Sequence, residues 1–165
     1  MKLTFRPIRL TEVAEIYSID INDEELSEFE KFVVLFKNEK DKYLESDFQS
    51  ILTALDEVSK RGALARYFRN EGAYKDRVVA LPVLIIRRNK KTNGTLRLYC
   101  LRISDKLLII GGGGLKTTDK YEETAELKRI VKTLQDLDKE LVEAEEFGVV
   151  LENTINNLVI YIPEE

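Results

Sequence analysis

Apolar and polar residues alternate loosely at the start of the chain. Leu3, Phe5 and Pro7 stand opposite Lys2, Thr4 and Arg6, the two-residue period of a short strand. Residues 11–19 carry further apolar positions whose period does not separate helix from strand. From Leu26 the spacing changes. Leu26, Phe29, Val33 and Phe36 repeat at helical intervals until the polar run Lys37-Asn38-Glu39-Lys40. Asn22 or Asp23 is placed to cap this helix, and Asp23, Glu24 and Glu25 complement the positive end of its dipole. A second helix is expected from Ser46-Asp47, with Phe48, Ile51, Leu52, Leu55 and Val58 on one face and Arg61-Gly62 as its stop.

The pattern then becomes β-like. After a loop over 62–76 with room for one short strand, Val78 to Arg88 is apolar and β-branched, with Pro82 marking an edge or a bulge. Asn93-Gly94 is a hairpin turn signal, because both residues tolerate positive φ. Thr95 to Ile103 returns across it, Ser104-Asp105 turns, and Leu107 to Ile110 completes a three-stranded meander that runs into Gly111–Gly114. Thr117, Thr118 or Asp119 is then placed to cap the longest helix. Its seam of Leu127, Ile130, Leu134, Leu137, Leu141 and Ala144 follows spacings of three and four. Gly148 ends it. Short strands at Val149–Leu151 and Leu158–Ile162 flank a turn at Asn153–Asn157, with Pro163 closing the last one.

These elements predict an α+β fold in a single domain over residues 1–165. Helices pack on one face of a mostly antiparallel sheet, with the central meander and a long helix after it. A chain of 165 residues with 44% hydrophobic content can bury a sizeable core. No apolar run approaches the roughly 20 residues of a membrane span, and the first residues lack the apolar stretch of a secretory signal. Cys100 stands alone, so no intrachain disulfide forms and a reducing, cytoplasmic location is expected.

Charge narrows the chemistry. The sequence contains no histidine, which removes Ser-His and Cys-His nucleophile pairs and the conventional zinc sites. A carboxylate-bound Mg²⁺ stays open in principle, but no tight Asp/Glu cluster sits on a recognisable scaffold, so neither a metal nor an organic cofactor is expected. The net charge of −4 conceals a partition: −6 over residues 1–60, +10 over 61–120 and −8 over 121–165. A basic central segment attracts anions, and the alternative is that acidic helices pack beside the basic sheet and neutralise it. Strand alternation places Arg97 and Tyr99 on one face and Leu96, Leu98 and Cys100 on the other. With the leucines in the core, Arg97 and Tyr99 are expected on an open face, where a guanidinium grips phosphate and a phenol stacks on a base. Gly111–Gly114 before Leu115-Lys116-Thr117 offers an anion nest beside Lys116. It is no P-loop, since that motif needs glycine where Ile110 and Leu115 stand.

The stretch Leu96-Arg97-Leu98-Tyr99-Cys100-Leu101-Arg102-Ile103, then Lys106 to Ile110, the glycines and Leu115-Lys116-Thr117-Thr118 resembles the sheet core of the RelE/HigB toxin superfamily. The resemblance covers residues 78–120 in detail, and Phe48 to Asp76 in the order of elements alone. It implies a toxin-like endoribonuclease that drives ribose 2′-OH attack on the neighbouring phosphate. In that picture Arg97, Tyr99 and Lys116 are catalytic, and Arg87, Arg88, Arg102, Lys106 and Lys120 bind RNA. The implied partners are RNA or the ribosome, with an antitoxin-like protein or a second copy of the chain. The sequence departs from the family pattern at Gly111–Gly114, at its single lysine where a pair is common, and in its acidic net charge. The alternative is a non-catalytic protein-interaction module that uses the amphipathic helix 119–146 and has no RNA site.

Overall fold

In a computed structural model the described residues are 1–70, 76–83, 94–117 and 125–164. They form a seven-stranded sheet with three α-helices. In chain order these are β1 (Lys2–Leu10), β2 (Glu15–Ile21), α1 (Glu28–Phe36), α2 (Lys42–Arg61), β3 (Arg69–Asn70), β4 (Val78–Leu81), β5 (Thr95–Ser104), β6 (Leu107–Lys116), α3 (Ala125–Glu146) and β7 (Ile160–Tyr161). The strand order is β3-β4-β5-β6-β2-β1-β7, and every pairing is antiparallel except β2 with β6. The expected α+β class and the antiparallel meander, now β4-β5-β6, are both present.

The helices cover both faces of the sheet, not one. Leu96, Leu98, Cys100, Leu108 and Ile110 pack with Phe32, Phe48, Ile51, Leu55 and Val58 of α1 and α2. On the opposite face Tyr99, Leu101, Leu107 and Ile109 pack with Leu127, Ile130, Leu134, Leu137 and Leu141 of α3. The α3 seam is therefore consumed in the protein's own core. Because β2 is buried on both sides, with Ile16 in one cluster and Tyr17 and Ile19 in the other, its sequence lacks a clean two-residue alternation.

Helix boundaries moved where two residues could fill one role. Asn22 and Asp23 do not cap α1; they adopt positive φ (51° and 57°) and turn the chain out of β2. Ser27 takes the cap instead. Its Oγ accepts from the Glu30 N–H (3.2 Å), and Glu30 Oε1 accepts from the Ser27 N–H (3.3 Å). Asp41, not Ser46 or Asp47, caps α2 by accepting from the Tyr43 N–H at 2.8 Å. Of the residues proposed to cap α3, Thr118 and Asp119 lie outside the described residues, as does Asn93 of the hairpin signal. Val149–Leu151 is irregular rather than a strand, and Ile155–Asn157 forms a 3-10 turn before β7.

Gly111–Gly114 is not a loop after β6 but part of it. A Cβ on Gly111 would lie 2.5 Å from Leu134 Cδ2, and one on Gly113 would lie 2.2 Å from the Arg97 carbonyl oxygen and 2.8 Å from Phe32 Cδ1. Gly112 lies against Glu28 of α1 and Ile130 of α3. The glycines let α1 and α3 approach one strand closely from opposite sides. No described helix is long and apolar enough to cross a membrane.

Candidate functional site

The candidate site follows from the register of β5 on β6. Arg97 pairs with Gly114, Tyr99 with Gly112, and Thr95 with Lys116. Arg97 and Tyr99 share the α3-facing side of β5, since Leu96 and Leu98 face α1 and α2. Leu115 packs toward α2, so alternation returns Lys116 to the α3 side with Gly114. Arg97 and Lys116 are thus diagonal neighbours across the ladder, about 7 Å apart at Cβ by sheet geometry. With no side chains on Gly112 and Gly114, the strand opposite Tyr99 and Arg97 leaves room for both large groups.

These three side chains are enclosed rather than displayed. Arg97 is 2% exposed, Tyr99 0% and Lys116 7%. The expected open face does not exist, because the α3 seam lies on it. Leu127 Cδ2 stands 3.2 Å from where a Gly114 Cβ would be, and Ile130 lies over Gly112. Arg97 Nη1 donates to the Leu96 carbonyl at 3.4 Å, and all three residues have further interactions within the fold. Across the sheet, Asp47 of α2 accepts from the Leu96 N–H at 3.0 Å and holds β5 from its other face.

The remaining candidates do not gather here. Arg102 is five residues along β5, roughly 16 Å at 3.3 Å per residue. Its Nε donates to the Ala63 carbonyl (2.6 Å) and its guanidinium pairs with Asp105, which holds it at the far end of the meander. Lys106, exposed, lies in the same distant turn. Arg87, Arg88 and Lys120 lie outside the described residues. The glycine N–H groups belong to a strand ladder, so they do not form the expected nest beside Lys116.

Neutralisation by acidic helices accounts for part of the charge partition. Arg77, just before β4, binds Asp138 of α3 through Nε (2.7 Å) and Glu145 through Nη1 (2.8 Å), and the Arg77 N–H donates to Asp138 Oδ2 (3.1 Å). Sequence reading missed this clamp. Its only signal was an aspartate, Asp138, interrupting the run of positions around the apolar seam. Arg6 pairs with Asp20 and Glu30, and Arg9 with Asp56.

A concavity of about 350 Å³ opens between the start of α1 and α3, beside Gly111, and is lined by Glu24, Glu28, Lys31, Arg129, Lys132 and Asp136. Its charges are satisfied internally: Lys31 with Glu24 and Glu28, Arg129 with Glu126, and Lys132 with Asp136. Desolvation raises the Glu28 carboxyl above its ordinary value despite Lys31. Burial pushes the Cys100 thiol up, far from a reactive thiolate. Among the described residues no group of three or more Cys, Asp or Glu side chains is arranged to hold a metal.

Comparison with protein-family models, with curated proteins and with solved structures produced no match.

Proposed function

We propose that this chain is a toxin-like endoribonuclease whose phosphate site is the set Arg97, Tyr99 and Lys116. The observation that carries the reading is the β5–β6 register, in which Arg97 and Tyr99 lie opposite Gly114 and Gly112 and Lys116, opposite Thr95, is the diagonal neighbour of Arg97 on the same face. Two helices followed by an antiparallel meander is the order the resemblance describes, and α1, α2 and β4-β5-β6 run in that order after β1 and β2, which the resemblance does not cover.

In this reading Arg97 and Lys116 grip the scissile phosphate, and their charge stabilises the pentacoordinate phosphorus. The ribose 2′-oxygen attacks phosphorus as its proton passes to water, the bond to the 5′-oxygen breaks, and that oxygen takes a proton from Tyr99 or from water. The products are a 2′,3′-cyclic phosphate and a 5′-hydroxyl. Tyr99 lies beside the phosphate position as a stacking surface or proton donor. In this fold α3 covers the site. The apolar seam that the rival interaction role would use is enclosed in this fold, where Leu127, Leu134, Leu137 and Leu141 are each 0% exposed.

The test is inducible expression in bacteria together with cleavage of single-stranded RNA by purified protein. The expected result is growth arrest and cyclic-phosphate ends. Arg97→Lys and Lys116→Ala should lower the cleavage rate about a hundredfold while the folded state survives. Harmless high-level expression of folded protein with no RNA cleavage ends the proposal.

A further inference from the structure

We propose that α1 and the neighbouring edge of β1 form a self-association surface, on which a second copy of this chain packs its own α1 antiparallel to the first. This surface is independent of the phosphate-site reading. The composition of α1 does not suit a helix at the surface. Its last four residues, Val33 to Phe36, are all apolar, yet Phe32 is its one buried residue. Val34 is 55% exposed and Leu35 68%. A groove of about 430 Å³ lies between the helix and β1, lined by Pro7, Ile8, Phe29, Val33 and Val34 together with the Arg6–Glu30 pair. Apolar surface gathered in this way marks an interface.

Two features select the occupant. The first is the register of β1. Lys2 bonds through both backbone groups to Asn22 on the β2 side, so alternation turns Leu3, Phe5 and Pro7 toward the sheet edge. β7 covers Leu3, and Pro7 offers no N–H further along, so an added strand finds no continuous ladder. Docking is left to side chains. The second feature is charge. Glu30, Val33, Val34 and Lys37 stand at i, i+3, i+4 and i+7, one stripe on the side of α1 away from Phe32. Lys37 keeps helical geometry as the C-cap (φ −62°, ψ −25°) and is exposed. An apolar stripe with an acid at one end and a base at the other is complementary to itself when antiparallel. About a two-fold axis between Val33 and Val34, Glu30 of each copy faces Lys37 of the other and the valines meet at the centre. The Ser27 N–H (3.3 Å) and Arg6 hold the Glu30 carboxylate in place beforehand. A uniformly acidic or basic partner would satisfy one end of the stripe and be repelled by the other.

The test is sedimentation equilibrium of the full chain up to about 0.1 mM, beside Val34→Glu and Lys37→Glu. The wild type should be a dimer in that range. Val34→Glu brings two carboxylates together at the axis and should weaken association at least about a hundredfold. Lys37→Glu opposes Glu30 twice per dimer and should weaken it about tenfold. Both positions are exposed in the single chain, so the variants should fold with melting midpoints close to wild type by circular dichroism. Should Val34→Glu fail to fold, Lys37→Glu decides alone. A wild-type chain that stays monomeric overturns the proposal, even where another protein binds α1. So does a dimer that the folded variants form as tightly as wild type, since the contact then lies elsewhere. RNA cleavage plays no part in these readouts, so the ribonuclease stands or falls separately.

Discussion

Replacing Gly113 by alanine is the sharpest probe of how β6 is packed. Its Cβ would lie 2.2 Å from the Arg97 carbonyl oxygen and 2.8 Å from Phe32 Cδ1. The carbonyl belongs to the neighbouring strand and cannot step aside without pulling β5 from β6, and Phe32 is fully buried. At Gly114 the nearest obstacle is Leu127 Cδ2 at 3.2 Å, the end of a flexible side chain. Overpacking a rigid core costs typically 1–3 kcal/mol, and backbone displacement puts Gly113→Ala at or above the top of that range. Gly114→Ala should cost less than about 1 kcal/mol, because leucine can rotate and alanine reduces the entropy of the unfolded strand. For a chain of this size each kcal/mol moves the melting midpoint by roughly 2–4 °C. Gly113→Ala is thus expected to melt about 6–12 °C below wild type, with Gly114→Ala within a few degrees. Circular dichroism melts of the two variants side by side decide it. Equal midpoints would refute the claim that the inter-strand carbonyl, rather than general crowding, dictates glycine at 113.

Two further expectations follow from the electrostatics. Asp138→Asn leaves the Arg77 guanidinium without its most buried counter-charge and should destabilise by about 2–3 kcal/mol, discounted for the partial exposure of Arg77; chemical denaturation reads the loss, and an unchanged midpoint would show that Glu145 suffices alone. Glu28 has a folded-state pKa raised above its ordinary 4.5, so its contribution to stability is fully present below that value and is lost as pH rises through the folded pKa. Glu28→Gln should therefore melt higher than wild type near neutrality, with the difference vanishing as pH falls below about 4. A variant less stable than wild type at neutral pH would show that the Lys31 contact outweighs desolvation.

Local chemistry made much of the architecture readable before any coordinates. The order of the meander strands followed from β-branched runs, two of them separated by Ser104-Asp105, and α3 followed from its leucine spacing, because periods of two and 3.6 record which side of an element meets the core. Where one role had two suitable residues, the reading went astray. Asn22 and Asp23 serve equally as helix caps and as left-handed turn residues, and only the path of the chain from β2 to α1 chose the turn. The glycine run looked like a loop because glycine reports conformational freedom and close approach alike. The approach of Leu134 and Phe32 from opposite sides made it a strand.

The sequence by itself determined which side of β5 carries Arg97 and Tyr99, since alternation is a property of the strand. Only the tertiary structure decided what lies over that side. The layering of α3 on the second face of the sheet depends on contacts among distant segments, and these carry no period along the chain. Long-range packing turned an expected open surface into the enclosed ground beneath α3.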